Sequence, residues 1–142
     1  MDKANNNTLI QQLNIPVSIL DNQAEYIRTV REGIPGGVVK EAIKIIGSRE
    51  LFTRLLDTTS ANLSRYYHKK ALNRVDTEEV LDTLRIFLEA SRVWNDIDLA
   101  RTWLNTPVSA LAGEKPIDLF DTFEGRNWVR QVLRKIAHGE FS

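Results

Sequence analysis

The chain has no cysteine, a single methionine, and only four prolines and seven glycines in 142 residues. Without thiols, disulfides and thiolate metal sites are excluded. No stretch approaches the ~18 uninterrupted apolar residues of a membrane span. The N-terminal MDKANNNTLIQQLNIP is polar and Asn-rich, without the basic start and apolar run of a signal peptide. No run alternates apolar and polar residues for long, and the Asn-Gly and Asp-Gly pairs that signal hairpins are missing. Gly-rich phosphate loops are missing too. The two histidines, His68 and His138, have no evident catalytic partner, and the acids lack the spacing of calcium or zinc ligands. These absences lead to the expectation of a cytoplasmic, all-α protein that is not an enzyme, with no catalytic residue, metal or cofactor.

Hydrophobic residues make up 42% of the chain, enough for a core, and 27% of residues are charged. Nineteen bases balance nineteen acids. The balance is uneven along the chain. Residues 40–74 carry eight Lys or Arg and three acids, residues 75–124 four bases and eleven acids, and residues 125–142 four bases and one acid. A basic block is what a polyanion-binding surface requires, although charge also fluctuates along any helical chain.

Spacing predicts a sequence of helices. Residues 1 to about 16 read as frayed. Asp21 is positioned to cap a helix through EYIRTVREG, ending at the Ile-Pro-Gly-Gly break. Helix VVKEAIKII follows, stopped by Gly47. Ser48 is placed to cap the short RELFTRLL, and Thr59 to cap a second helix through about SANLSRYYHKKAL. Asp76 and Glu79 have capping-box spacing for TEEVLDTLRIFLEASRVW. Asp96 is placed to cap DLARTWL, and Asp121 and Glu124 to cap a last helix from about Phe123 to His138. On that helix Val129, Val132, Leu133 and Ile136 form an apolar stripe with Trp128 at its edge. Arg126, Arg130 and Arg134 recur every fourth residue on what reads as another face.

Two short helices joined by a polar turn inside a basic block suggest a helix-turn-helix. Leu51, Leu55 and Leu63 are expected to pack the pair. Thr59, Ser60, Asn62, Ser64 and Arg65 then lie on the exposed N-terminal part of the second helix, with Lys69 and Lys70 beyond. Arg65 suits guanine and Asn62 adenine, while the lysines suit phosphate. An ordinary polar face on a helical hairpin gives the same pattern.

The segment WLNTPVSALAGEKPIDLFDTFEGRNWV, residues 103–129, is neither one helix nor a solvated linker. Pro107 and Pro116 fix φ, and Gly113 tolerates positive φ, so the chain turns defined corners. Trp103-Leu104, Pro107, Ala110-Leu111-Ala112-Gly113, Lys115-Pro116-Ile117-Asp118-Leu119, Thr122, Glu124-Gly125 and the tail Ile136–Phe141 with Gly139 form an ordered set. This set resembles the C-terminal toxin-binding domain of Xre/MbcA/ParS antitoxins, partners of RES-domain toxins. The resemblance runs from about Asp96 to Ser142, and REGIPGG at 31–37 is also similar to that family.

The resemblance implies an antitoxin of a RES–Xre type II pair. Its fold would be an Xre-like helix-turn-helix domain followed by a small helical toxin-binding domain. The divisions would be an N-terminal helical arm at 1–36, a DNA-binding-type domain at 37–95 and a toxin-binding domain at 96–142. It further implies neutralisation of an NAD+-consuming RES toxin by blocking its NAD+ site, autoregulation through operator DNA, and a homodimer or larger toxin–antitoxin hetero-oligomer. Arg126, Arg130, Arg134, Gly139, Glu140, Phe141 and Ser142 are the expected toxin-binding residues. A free-standing repressor with a C-terminal dimerisation domain is the alternative, and a protein-only adaptor a third reading.

Overall fold

The computed structural model describes residue 11 and residues 13–139. Glu140, Phe141 and Ser142, and most of the N-terminal stretch expected to fray, lie outside the described residues. Among the described residues the fold is all-α, with no strand. The α-helices are α1 (Ser18–Asp21), α2 (Gln23–Glu32), α3 (Gly37–Ile46), α4 (Arg49–Leu55), α5 (Ser60–Leu63), α6 (Arg74–Trp94), α7 (Ile97–Leu104) and α8 (Phe123–Ala137). Three 3-10 helices, Ser64–His68, Ser109–Leu111 and Pro116–Leu119, join them.

Long α6 is the axis. Val80, Leu81, Leu84, Ile86, Phe87 and Leu88 are all buried, as are Thr77, Asp82, Thr83, Ala90 and Ser91. Apolar residues on nearly every side mark a helix enclosed by neighbours. α1, α2, α3 and α4 contact it from one half of the chain, α7 and α8 from the other. The core is continuous from Leu13 and Leu20 through Phe52 and Phe87 to Phe120 and Leu133. Leu13, Leu20, Tyr26, Val30 and Ile34, all in the expected N-terminal arm, belong to that core.

Helix starts follow capping chemistry, with three differences from expectation. Ser48, Thr59 and Asp96 cap as expected: their side-chain oxygens accept from the N–H of Leu51 (3.1 Å), Asn62 (3.2 Å) and Leu99 (3.0 Å). Asp96 also accepts from Asp98 N–H, and these two amides hold its carboxyl below the usual carboxylate range. At three other starts the cap is a neutral residue in place of the expected acid, next to it at Asn22 and Thr122 and three residues before it at Asn73. Asn22 accepts from Glu25 N–H at 3.0 Å, Asn73 from Asp76 N–H at 2.7 Å, and Thr122 from Gly125 N–H at 2.9 Å. Asp21 instead ends α1 and meets Arg92 at 3.3 Å, while Glu79 is drawn to Arg126.

Two glycines permit close backbone approach. A Cβ on Gly36 would stand 1.7 Å from the Tyr66 carbonyl oxygen, and one on Gly125 would stand 2.0 Å from that of Leu119. Gly36 seats the start of α3 against the Ser64–His68 turn, and its N–H donates to the Lys69 carbonyl at 2.9 Å. Gly125 lets the first turn of α8 lie on the Pro116–Leu119 turn.

Candidate protein and nucleic-acid interfaces

Buried Leu51, Leu55 and Leu63 hold α4 against α5. Between these helices Asp57 adopts φ 51°, a left-handed conformation that Asp enters more readily than most residues other than Gly. The second helix is shorter than expected. Its α-helical part stops at Leu63, tightens to 3-10 geometry and ends at His68. Lys69 and Lys70 therefore lie past its end. With about three residues per turn in this geometry, Arg65 lines up with His68 and not with Lys69.

Thr59, Ser60, Asn62, Ser64, Arg65, Lys69 and Lys70 are all exposed. The side chains of Asn62, Ser64, Arg65 and Lys70 make no hydrogen bond or ion pair among the described residues. Ser60 is engaged. Arg49 Nε donates to its Oγ at 3.2 Å, Arg49 Nη2 to its carbonyl at 2.7 Å, and Arg49 Nη1 to the Tyr67 hydroxyl at 3.1 Å. Arg49 thus braces the two helices. Its only signal in sequence is its place after the Ser48 cap. The Lys69 ammonium stands 4.4 Å from the Tyr66 ring centroid, held by a cation–π contact.

The residue 103–129 segment folds as a knuckle. Val108 N–H donates to Glu114 O at 3.1 Å and Gly113 N–H to Val108 O at 3.0 Å, closing a loop whose Leu111 is buried. Pro116 opens the last 3-10 helix, and Ile117 and Phe120 enter the core. Trp103 packs on Trp94 with centroids 6.3 Å apart. Arg54 Nη2 donates to Ile117 O at 3.1 Å, and Arg101 Nε donates to Ile45 O at 2.8 Å, satisfying a carbonyl at the end of α3.

The expected arginine row divides. Residues four apart on an α-helix drift by about 40° per step. Arg126 is therefore buried, 1% exposed. Arg130 is half-buried and Arg134 is exposed. Arg126 does not present a surface for a partner. Its Nε donates to Asp82 Oδ2 at 2.7 Å, its Nη2 to Glu79 Oε1 at 2.9 Å, and its Nη1 to Glu79 Oε2 at 3.1 Å and to the Phe120 carbonyl at 2.8 Å. The other oxygen of Asp82 accepts from Arg85 and Arg130, each at 2.7 Å.

Three guanidiniums thus meet two carboxylates at the seam of α6 and α8. Burial pushes the Asp82 carboxyl up, but the hydrogen bonds from Arg85 and Arg126 and the charge of Arg130 outweigh it and hold that carboxyl below its ordinary range. Burial works against the charge on Arg126, and Glu79 and Asp82 more than restore it, so its pKa rises. Arg85 also lies over the Tyr26 ring, 3.7 Å from its centroid. Burial pushes the Tyr26 hydroxyl up to about 12.

Between α6 and α8, closed at one end by α1, runs a cleft of about 450 Å³. Arg85, Arg92, Arg130 and Arg134 line it with Asp21 and Glu89. Gly139, the last described residue, adopts φ 71° beyond the end of α8.

Comparison with known proteins bears on the same region. Residues 89–139 match the family model described as the antitoxin Xre/MbcA/ParS C-terminal toxin-binding domain. An antitoxin of Sphingobium sp. (strain YBL2), described as a Prs ADP-ribosylating antitoxin, is 27% identical to this chain over 129 residues. That similarity covers 83% of this chain and 81% of the relative. The matched segment runs from the last turns of α6 through α7 and the knuckle to α8, so the C-terminal part of the chain carries an Xre/MbcA/ParS-type toxin-binding domain, and the likeness to an antitoxin extends far upstream of it.

Proposed function

We propose that this antitoxin neutralises a RES-domain toxin that consumes NAD+, working in the cytoplasm, and that it blocks the toxin's NAD+ site with its C-terminal end. The observation that carries the reading is the toxin-binding domain matched at residues 89–139, which holds the ordered motif series from Trp103 to Gly139. The relative's description speaks of ADP-ribosylation. ADP-ribosyl groups are taken from NAD+, so an NAD+-using partner is consistent with it. An NAD+ cleft must accept two phosphates, and a plug needs charged and aromatic groups. Gly139-Glu140-Phe141-Ser142 supplies a carboxylate and an aromatic ring, and Arg130 and Arg134 on α8 supply cations. Arg126, enclosed between α6 and α8, is left out of this surface.

In the same reading the antitoxin binds operator DNA through Asn62, Arg65, Lys69 and Lys70 and represses its own operon, as a homodimer or within a toxin–antitoxin hetero-oligomer. Support comes from the free, exposed side chains of Asn62, Arg65 and Lys70 on one short helix and its exit.

The test is NAD+ consumption by the purified toxin, titrated with the full chain and with a chain lacking residues 139–142. The shortened chain is expected to need a concentration about tenfold higher or more, as when one aromatic anchor is lost from an interface. Equal potency would rule out the tail as the plug. A wild-type chain that does not inhibit at any concentration would sink the whole reading.

A further inference from the structure

The cleft between α6 and α8 brings Arg130 and Arg134 together with Arg85 and Arg92, which the reading above does not use. Resting on the antitoxin reading above, we propose that it is the docking site for a carboxylate-bearing segment of the toxin. Arg85 and Arg92 lie seven residues apart on α6, and Arg130 and Arg134 four apart on α8, so each pair faces the cleft from one wall. Four arginines against Asp21 and Glu89 leave the lining positive. Arg92 spends its charge on Asp21 across 3.3 Å with both groups open to solvent, while Arg134 makes no ion pair among the described residues. Arg85 and Arg130 share a single Asp82 oxygen, and Arg130 Nη1 also donates to Asn127 Oδ1 at 2.8 Å, which still leaves each guanidinium with further N–H groups for a ligand.

Guanidiniums converging from two walls suit the planar, bidentate carboxylate. Two further details favour a peptide segment over a nucleic-acid backbone. Glu89 Oε2 is buried without a hydrogen-bond partner. An incoming main chain brings N–H donors that satisfy it, whereas a phosphodiester has none to give. Glu89, Arg92, Arg130 and Arg134 also all fall inside the matched toxin-binding segment.

The experiment is calorimetric titration of the purified full-length antitoxin with its toxin at two salt concentrations. Arg92→Glu combined with Arg134→Glu reverses the two exposed cleft charges. Lys40→Glu combined with Lys135→Glu makes the same net change outside the cleft. The cleft variant is expected to bind about tenfold more weakly or worse, with a shallower salt dependence, and the control to stay within about threefold. Circular dichroism and the melting temperature report whether each variant folds. Arg134→Gln, which breaks no ion pair, carries the test if the double reversal does not fold, and is expected to weaken binding severalfold. Wild-type binding with no greater loss in the cleft variant than in the control overturns the cleft and leaves the antitoxin reading standing. Absence of wild-type binding overturns both. Loss of operator binding with unchanged toxin affinity assigns the cleft to nucleic acid and also overturns it.

Discussion

Arg65 and Arg126 look alike in the sequence and are opposites in the structure. Each stands near the start of a helix, on what reads as a polar face within a basic stretch. Arg65 is exposed and has no partner among the described residues. Arg126 is enclosed by two carboxylates that lie 44 and 47 residues earlier in the chain. The region around α5 leaves the cations of Arg65 and Lys70 exposed and without a partner among the described residues. The seam of α6 and α8 spends its cations inside. An arginine's availability thus depends on where distant acids fold, and charge counted along the chain cannot tell the two cases apart.

The strongest way to break the comparison is to remove the hub of the seam. Asp82→Asn leaves three guanidiniums around a neutral amide, and should lower stability by about 3–5 kcal/mol. Arg65→Ala should change stability by less than about 0.5 kcal/mol. Urea unfolding followed by circular dichroism measures both, and similar values for the two would erase the distinction. Function should move the other way. Arg65→Ala with Lys69→Ala is expected to weaken operator binding by about 1–3 kcal/mol without altering the melting temperature, read from gel shifts of the promoter fragment.

The gentlest test uses pH. The folded pKa of Asp82 lies below its unfolded value of 3.8, so its contribution is present above that value and is lost as pH falls through the folded one. Acid unfolding of the wild type should therefore steepen below pH 3.8, and in Asp82→Asn that step should be missing. Tyr26 gives the alkaline counterpart. Its folded pKa is raised from 10.0 to about 12, so its contribution is complete below pH 10.0 and is lost as pH rises towards 12. Tyr26→Phe should flatten that limb in a pH series of melting temperatures.

Much of the helical frame was legible in the sequence because it follows from local rules. The Ser48, Thr59 and Asp96 caps, the stop at Gly47 and the stripe of Val129, Val132 and Leu133 depend on neighbours within a turn or two. The misplaced caps at Asp21, Asp76 and Asp121 arose where an acid lies within three residues of an Asn or Thr, and only the backbone decides which of them reaches the free N–H groups. The length of the second short helix was not local either. Gly36 brings α3 onto the Tyr66 carbonyl, and the chain exits at His68 in the geometry that contact requires.

For Arg126 a signal was present. It stands three residues before Val129 and seven before Leu133, in phase with the apolar stripe, while Arg134 has drifted about 80° away from it. An arginine in phase with a core stripe asks for a buried acid. The missing information was which acid, since α6 and its surroundings offer many.

The shared charges at the seam also decide how portable the toxin-binding part is. Residues 89–139 contain Arg126 and Arg130 but neither Glu79 nor Asp82. Cut at residue 89, or at 96, the piece would carry a cation built for enclosure with nothing to neutralise it. A recombinant hybrid that takes its toxin specificity from this chain must therefore inherit α6 whole, with its junction at or before Asn73. Swapping partners between antitoxins of this kind exchanges a long helix along with the surface that reads the toxin.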